Sequence, residues 1–473
     1  MNEQVYVMKF GGTSVGTADA VARTARILAD AMSDGNRIVA VVSAMSGVTT
    51  KLLQGIVAAA RGDARMHVSV VSEILPRYEE AVEQLIQDPS ERRRLHDEAV
   101  QTLADYTSVC ESVTVLREAT PRAMDRALSC GEPLVVLLLA SLLCQMGCNA
   151  QPVDATSVIV TDAVHQNAMP QLGPTSKHAD AILRPLIETR TLPVLAGFIG
   201  ATQDGEVTTL GRGGSDFSAS VLAAVLDADE VWIWTDVDGV MTADPRLVPE
   251  ARIVPVLSYG EVGELAYFGA KVVHPRTIRP LIDKGTPLRI KNTFRPGGEG
   301  TRIQQDGACT ASSDSGAVKA VTHVTGLSMI VVEGRGMLGV PGVAARTFEA
   351  VARCKTNVLM ISQASSEQSI CFVIPADDAP CVIGELSSEF ELELARRDID
   401  HVRQVGPIDI VTALADGIRN SLGTAACVFS ALSRQGVNIS AIAQGSSKYS
   451  ISVAVSSEDF SSAVRAIHEE VVR

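Results

Sequence analysis

Short apolar runs separated by helix-length amphipathic stretches fill the first two-thirds of the chain. Residues 5–8 predict a strand, 17–32 a helix, and 37–43 a strand covered on both faces. Further strands are predicted at 149–152, 158–161, 191–197 and 230–235, with a helix over 216–226. Residues 64–128 read as mainly helical and polar with apolar stripes, a lobe that could lie over a substrate. This alternation predicts an α/β fold with a mostly parallel central sheet. Ligands of such sheets sit at the carboxyl ends of strands, where Ser43, Gly197 and Thr235 fall.

Near residue 295 the texture changes to Pro-Gly-Gly-Glu-Gly and Ala-Ser-Ser-Asp-Ser-Gly, the composition of a linker. Beyond it the chain repeats itself at one offset of 81 (429 − 348): Phe348 matches Phe429, Asn357 matches Asn438, Gln363 matches Gln444, Ser365 matches Ser446 and Ser369 matches Ser450. Each copy reads strand, glycine turn, helix, Asn-bearing turn, strand. The first has a strand at 327–333, a turn at 336–342 and a helix at 343–352; the second has a strand at 408–414, Gly423 and a helix at 424–434. A purely structural role for such units stays open. The expected division is a catalytic domain at 1–295, a linker at 296–317, and two small units at 318–395 and 396–473.

At 473 residues the chain is too long for one ordinary core. Its 46% hydrophobic and 20% charged residues are globular composition. A net charge of −14 repels nucleic acid and anionic membrane surfaces, although a local positive cleft could still bind ATP, so small-molecule partners are expected. Nine cysteines without C-x-x-C spacing, an odd number, suit a reducing cytosol. The start of the sequence has no signal-peptide pattern, and the longest apolar run, 134–144, is short for a bilayer. The expected location is cytoplasmic.

Five glycine- or hydroxyl-rich segments carry candidate chemistry. Lys9-Phe10-Gly11-Gly12-Thr13-Ser14-Val15-Gly16 follows the first strand, and glycine backbone beside a lysine suits phosphate oxygens. It is neither a Walker A loop nor G-x-G-x-x-G, and a plain turn remains the alternative. Ser43 to Thr50 places hydroxyls at a strand end, to orient a carboxylate or phosphate or merely to cap a helix. Leu210-Gly211-Arg212-Gly213-Gly214-Ser215-Asp216 is the better anion site, because arginine can fork onto a carboxylate at a helix start; an N-cap aspartate with a solvated arginine is the alternative. Thr235-Asp236-Val237-Asp238-Gly239 lacks calcium-loop spacing and suits nucleotide recognition or an ordinary turn. In Tyr267 to Arg276, Lys271 could neutralise transferred phosphate or stand solvated.

Together these motifs resemble the aspartate kinases of the amino-acid-kinase superfamily, from residue 5 to the end. The resemblance implies an amino-acid-kinase three-layer α/β sandwich followed by two α+β ACT-type domains. It implies transfer of phosphate from MgATP to the β-carboxylate of L-aspartate, the committed step toward lysine, threonine and methionine. By resemblance Lys9, Gly11, Gly12 and Asp216 are catalytic, Lys9 offsetting charge on the moving phosphoryl group. Ser43, Thr49, Phe198, Arg212 and Ser215 match the aspartate pocket, with Arg212 on the α-carboxylate and Glu132 on the α-ammonium. Unaided, Glu132 reads as a helix-start residue. Lys9, Thr235, Asp236, Met241, Arg246 and Lys271 match the nucleotide site, and Met241 departs from a tyrosine that many members carry.

Mg2+ is expected to travel on ATP phosphates and waters rather than in a protein cage. The attacking carboxylate is already ionised, so no general base is required. The resemblance further implies feedback by threonine and/or lysine at the first ACT unit, threonine taken first, through Met337, Leu338, Gly339, Val340, Asn357, Gln363 and Ser365. Lys448 replaces Glu367 in the second unit, so the two units need not share a ligand. Assembly is expected as a homodimer or higher homo-oligomer through the ACT domains. With the sequence ending at Arg473, soon after the second repeat, no fused homoserine dehydrogenase is expected.

Overall fold

The computed structural model describes residues 4–269, 273–305, 318–364, 368–415, 418, 422–444 and 449–472. They form two compact units. The first comprises residues up to 240 together with 255–259 and 273–309; the second comprises 241–254, 260–272 and 310–473.

The first unit contains strands β1 (Val5–Phe10), β2 (Arg37–Val42), β3 (Ala150–Val153), β4 (Val160–Thr161), β5 (Leu192–Ala196), β6 (Ile199–Thr202), β7 (Val207–Thr209), β8 (Glu230–Thr235), β9 (Val256–Ser258), β10 (Leu288–Asn292) and β11 (Thr301–Gln304). Eight of them form one sheet in the order β3-β5-β2-β1-β8-β10-β11-β9, parallel throughout except between β10 and β11. β1 lies in the middle, buried along Val7 to Phe10, which is why residues 5–8 read as continuously apolar. Its neighbours β2 and β8 lead away to opposite sides of the sheet, so a ligand crevice opens at the carboxyl end of β1.

Helices α1 (Ala18–Ser33), α2 (Val48–Ala60), α3 (Met66–Leu85), α4 (Pro89–Leu116), α5 (Pro121–Leu128), α6 (Glu132–Gln145), α7 (Leu172–Glu188) and α8 (Gly214–Leu226) complete most of this unit. Pro121–Gln145 is long and apolar enough to cross a membrane, longer than the run 134–144 suggested, yet 83% of its apolar window is buried in the core. Within the segment expected to be a linker, β11 pairs with β10 (Leu288↔Ile303, Ile290↔Thr301). The glycines there make a hairpin turn rather than a domain tether: a Cβ on Gly300, at φ +72°, would run into the Ile290 carbonyl.

α9 (Tyr259–Tyr267) leads into the second unit, and α10 (Pro275–Lys284) returns to the first. The second unit is built on a six-stranded antiparallel sheet of β12 (Val318–Glu333), β13 (Met360–Gln363), β14 (Ser369–Pro375), β15 (His401–Ala415), β16 (Ile439–Ala443) and β17 (Ser450–Ser456), in the order β13-β14-β12-β15-β17-β16. Its helices are α11 (Val343–Arg353), α12 (Ala379–Glu389), α13 (Glu391–Arg396), α14 (Thr424–Arg434) and α15 (Phe460–Val471). The repeat is visible in the backbone: Gly342 and Gly423, one offset apart, both cap their helix at φ +93°.

The two repeats exchange strand ends. Val318 and Val321, at the start of β12, pack with Val411, Val428 and Ile467 of the second repeat, whereas Ile330 and Val332 pack with Phe372 and Leu386 of the first. Ile399 joins the first core as well, so a cut at 395/396 passes through both. A 16-residue strand is long enough to serve two cores, and its register shifts between Val324 and Leu327 where it passes from one to the other.

Against the expectation of unpaired thiols, Cys354 and Cys381 form a disulfide between the end of α11 and α12. Their separation of 27 residues carried no local signal; the pairing follows from the two helices lying side by side.

Candidate active site

The carboxyl ends of β1, β2, β5 and β8 converge on a cavity of about 550 Å³. Lys9, the last residue but one of β1, stands there 9% exposed, with its Nζ 2.5 Å from Asp216 Oδ1. Asp216 sits in the first turn of α8, whose N-cap is Gly213 at φ +70°, so the aspartate pairs with lysine instead of capping the helix. Gly214 and Ser215 turn the amino end of α8 toward the cavity, a favourable place for negative charge.

The Lys9 loop is shaped by close backbone approach. A Cβ on Gly12 would lie 3.1 Å from the Ala44 carbonyl, and one on Gly16 would lie 2.9 Å from Gly12 O. The expectation for Gly11 needs correction. Its N–H donates to Trp234 O at 3.0 Å, tying β1 to β8, which leaves Gly12 as the candidate backbone donor to a phosphate.

Ser43 and Thr49 both line the cavity, with Ser46 and Thr50 beside them. Helix α2 is capped by Gly47 at φ +83° with no side-chain cap, so these hydroxyls are not its N-cap. Arg77 of α3, which sequence reading missed, donates to Ser46 O at 2.8 Å and Gly16 O at 2.5 Å. It fastens the two loops together, and nothing in its polar helical surroundings announced it.

Glu132 opens α6 at 3% exposure and lines the same cavity. Burial pushes its carboxyl up to about 8, and its Oε2 has no hydrogen-bond partner among the described residues. Backbone N–H groups of Glu132 and Ala44 reach the carboxyl, so the unsatisfied capacity is at Oε2, a chemistry that suits a cationic group. Phe198 follows β5 at φ +70°, unusual for a residue with a side chain, and a Cβ on Gly197 would lie 2.6 Å from Ser215 Cβ. Thr235 and Asp236 complete the wall from the end of β8. Asp238 is engaged by Asn292 Nδ2 at 2.7 Å and Arg295 Nη1 at 2.6 Å.

Other expected residues are not among the described residues that line this cavity. Arg212 is exposed and does not line the cavity, although its neighbours Gly211 and Gly213 do. Met241 and Arg246 belong to the second unit, where Arg246 is exposed and bonded to Asp244 at 2.6 Å. Lys271 lies outside the described residues, as does Ser365. Of the effector residues, Leu338, Val340, Asn357 and Gln363 are exposed, and Gly339 takes φ +69°. The Met337 side chain is 3% exposed and packed in the first repeat's core.

A second cavity of about 460 Å³ lies against Cys130, Pro133 and Val136 on α6 and the segment before it. Its walls are mainly apolar, and of the charged side chains there Arg126 and Asp105 are paired with each other at 3.1 Å.

The amino acid kinase family model matches residues 4–292, and the ACT domain model matches 330–390 and 411–471. Over 469 residues the chain is 34% identical to the bifunctional aspartokinase/homoserine dehydrogenase 1, chloroplastic, of Arabidopsis thaliana, covering 98% of this chain and 50% of that protein. It spans about half the length of the curated relatives at this level of identity. Aspartate kinase of Clostridium acetobutylicum superposes with a TM-score of 0.81 at 27% identity, covering 98% of this chain and 100% of that one. E. coli aspartokinase III in complex with aspartate and ADP (R-state) gives a TM-score of 0.77 at 27% identity, covering 99% and 100%. With a family model that covers more than half of the chain and every residue lining the cavity, the chain belongs to the amino acid kinase family and carries repeated ACT domains behind the kinase fold.

Proposed function

We propose that this chain phosphorylates the β-carboxylate of L-aspartate with MgATP, giving 4-phospho-L-aspartate and ADP, the committed step toward lysine, threonine and methionine. One observation carries the reading: a single cavity holds the Lys9–Asp216 pair and, apart from it, the buried Glu132 carboxyl, whose Oε2 has no hydrogen-bond partner among the described residues. The first suits a transferring phosphoryl group and the second an amino acid's ammonium. The relatives named aspartokinase and the solved complex with aspartate and ADP support the same assignment.

In this reading Glu132 takes the α-ammonium and Arg212 the α-carboxylate, while Ser43, Thr49, Phe198 and Ser215 shape the pocket. Thr235, Asp236, Met241, Arg246 and Lys271 serve the nucleotide. Asp216 and Asp236 suit the waters of a Mg2+ that arrives on the nucleotide phosphates. The acceptor carboxylate is ionised at neutral pH, so the chain's contribution is in-line positioning and stabilisation of phosphoryl charge by Lys9, Gly12 and the α8 amino terminus. The catalytic role belongs to the first unit and regulation to the ACT repeats, with threonine and/or lysine as effectors, in a homodimer or higher oligomer. An ATP-consuming biosynthetic step suits a cytoplasmic location.

The test is an acceptor panel of aspartate, glutamate and carbamate, assayed by ADP release and trapping of the acyl phosphate with hydroxylamine. Aspartate-dependent hydroxamate is expected; its absence, or preference for another acceptor, overturns the assignment. Titrating threonine, lysine and both at subsaturating aspartate identifies the effector. Neither binding nor inhibition by either would defeat that part.

A further inference from the structure

We infer that Asp125 is a positioning residue for the Arg212 loop, holding the turn on which Gly211 rests and so setting where the acceptor-binding arginine stands. This rests on the proposed role of Arg212 and extends it to a residue outside the cavity.

Asp125 lies in α5 and is fully buried. Its Oδ1 accepts from Thr209 Oγ1 at 2.6 Å, both its oxygens lie 3.0 Å from the Gln166 N–H, and its Oδ2 is 2.8 Å from His165 Nδ1. A carboxylate oxygen at this distance is served by the His165 tautomer that bears its hydrogen on Nδ1. These donors flank one loop. Thr209 ends β7 two residues before Gly211, and the His165–Gln166 turn packs against Gly211 from the other side. The fit is tight: Gly211 takes φ +74°, and a Cβ there would lie 2.9 Å from both Gln166 O and Asn167 Oδ1. Gln166 itself is held at φ +66°. The same turn is braced by Arg276, which donates to Asn167 Oδ1, and by Ala168 N–H on Thr209 O at 3.0 Å.

A buried carboxylate is a poor way to gain stability alone, since well-packed apolar groups of similar volume do as well or better. What it does here is fix three donors from two chain segments around one point, and that point carries the arginine loop. Arg212 is exposed, so its placement depends on its backbone rather than on packing of its side chain.

The experiment uses the full chain with Asp125→Asn and, in case that variant folds poorly, Thr209→Val, which removes one donor and keeps the carboxylate. Steady-state kinetics should show KM for aspartate raised about tenfold to a hundredfold in Asp125→Asn. KM for ATP should stay within about twofold, because the nucleotide side is untouched, and Thr209→Val should shift in the same direction by less. Hydrogen exchange should quicken at residues 164–168 and 209–214 and nowhere else in the first unit. An unchanged aspartate KM in the folded variants, equal rises in both KM values, or exchange quickened throughout the unit would overturn the inference. If wild type fails to use aspartate, the proposed function falls, while the exchange pattern still decides whether Asp125 anchors this loop.

Discussion

Lys9 Nζ and Asp216 Oδ1 stand 2.5 Å apart, joining the end of the central strand to the first turn of α8, with side chains only 11% and 19% exposed. The pair brings a flexible lysine under control before any phosphate arrives. It also places the ammonium where glycine backbone and a helix amino terminus already favour negative charge. Replacing Lys9 by alanine should therefore lower kcat by about 10²–10³-fold, with a smaller change in KM for aspartate. Steady-state kinetics on variant protein with a wild-type melting curve checks this; near-normal turnover would remove Lys9 from the chemistry.

Glu132 gives a pH signature in binding. With its free carboxyl near 8, an incoming ammonium must first displace a proton at lower pH. KM for aspartate should rise about tenfold per unit as pH falls well below 8, and level off above it. Glu132→Gln should bind aspartate weakly with no such slope. A pH-independent KM in wild type would contradict the assignment.

The same carboxyl sets a stability trend of opposite sense. Folded protein holds a proton that the unfolded chain, titrating near 4.5, has released, so stability of the ligand-free protein should decline as pH rises from about 4.5 to 8. Glu132→Gln removes the buried charge, and should melt above wild type at pH 8 when aspartate is absent. Calorimetric scans across this range decide; parallel curves for the two proteins would sink the argument.

At Gly197 the constraint is space. An alanine Cβ would fall 2.6 Å from Ser215 Cβ and 2.8 Å from its Cα, so α8 or the end of β5 has to move. Gly197→Ala should destabilise by about 1–3 kcal/mol and raise KM for aspartate. Gly173→Ala in α7, where a Cβ meets nothing within 4 Å, should be neutral or slightly stabilising. Thermal melts of the two variants side by side provide the comparison, and equal effects would refute it.

The Cys354–Cys381 bond closes 27 residues of the first ACT repeat, between helices also joined by Arg346 to Glu389 at 2.8 Å and Arg353 to Glu385 at 2.8 Å. Chain-entropy arguments give such a closure about 3–4 kcal/mol of stability, to be lost on reduction or in Cys354→Ser. Melting of the second unit with and without dithiothreitol measures it. Quantitative alkylation of both cysteines in unreduced protein would show that the bond is absent.

Much of this molecule can be read from local pattern. Apolar runs of strand length marked β1, β2, β5 and β8, because strands buried on both faces need no alternation. The glycine loops around Lys9 and Ser215 could be located because close backbone approach excludes side chains, and Gly12 and Gly16 bear this out. The constant offset exposed the repeat, since copies that fold alike keep their glycine caps in register, as Gly342 and Gly423 do.

What local pattern alone did not reveal depends on contacts between distant segments. Glu132 begins a helix like any acidic first-turn residue, and only burial leaves its Oε2 without a partner. Arg77 lies on a polar helix, and folding alone sets its guanidinium between Gly16 and Ser46. Asp125 meets Thr209, and Cys354 meets Cys381, across stretches of chain that periodicity does not link. β12 looked like the first strand of one repeat, and its length let it complete the cores of two. Hydrophobic period and glycine placement are properties of a few consecutive residues, so the sequence alone determined the elements, their repeat and the glycine loops at the strand ends. Burial, ion pairing and shared cores are properties of segments brought together, so only the tertiary structure decided which carboxylate lost its solvent, which arginine locked the loops and which strands the repeats hold in common.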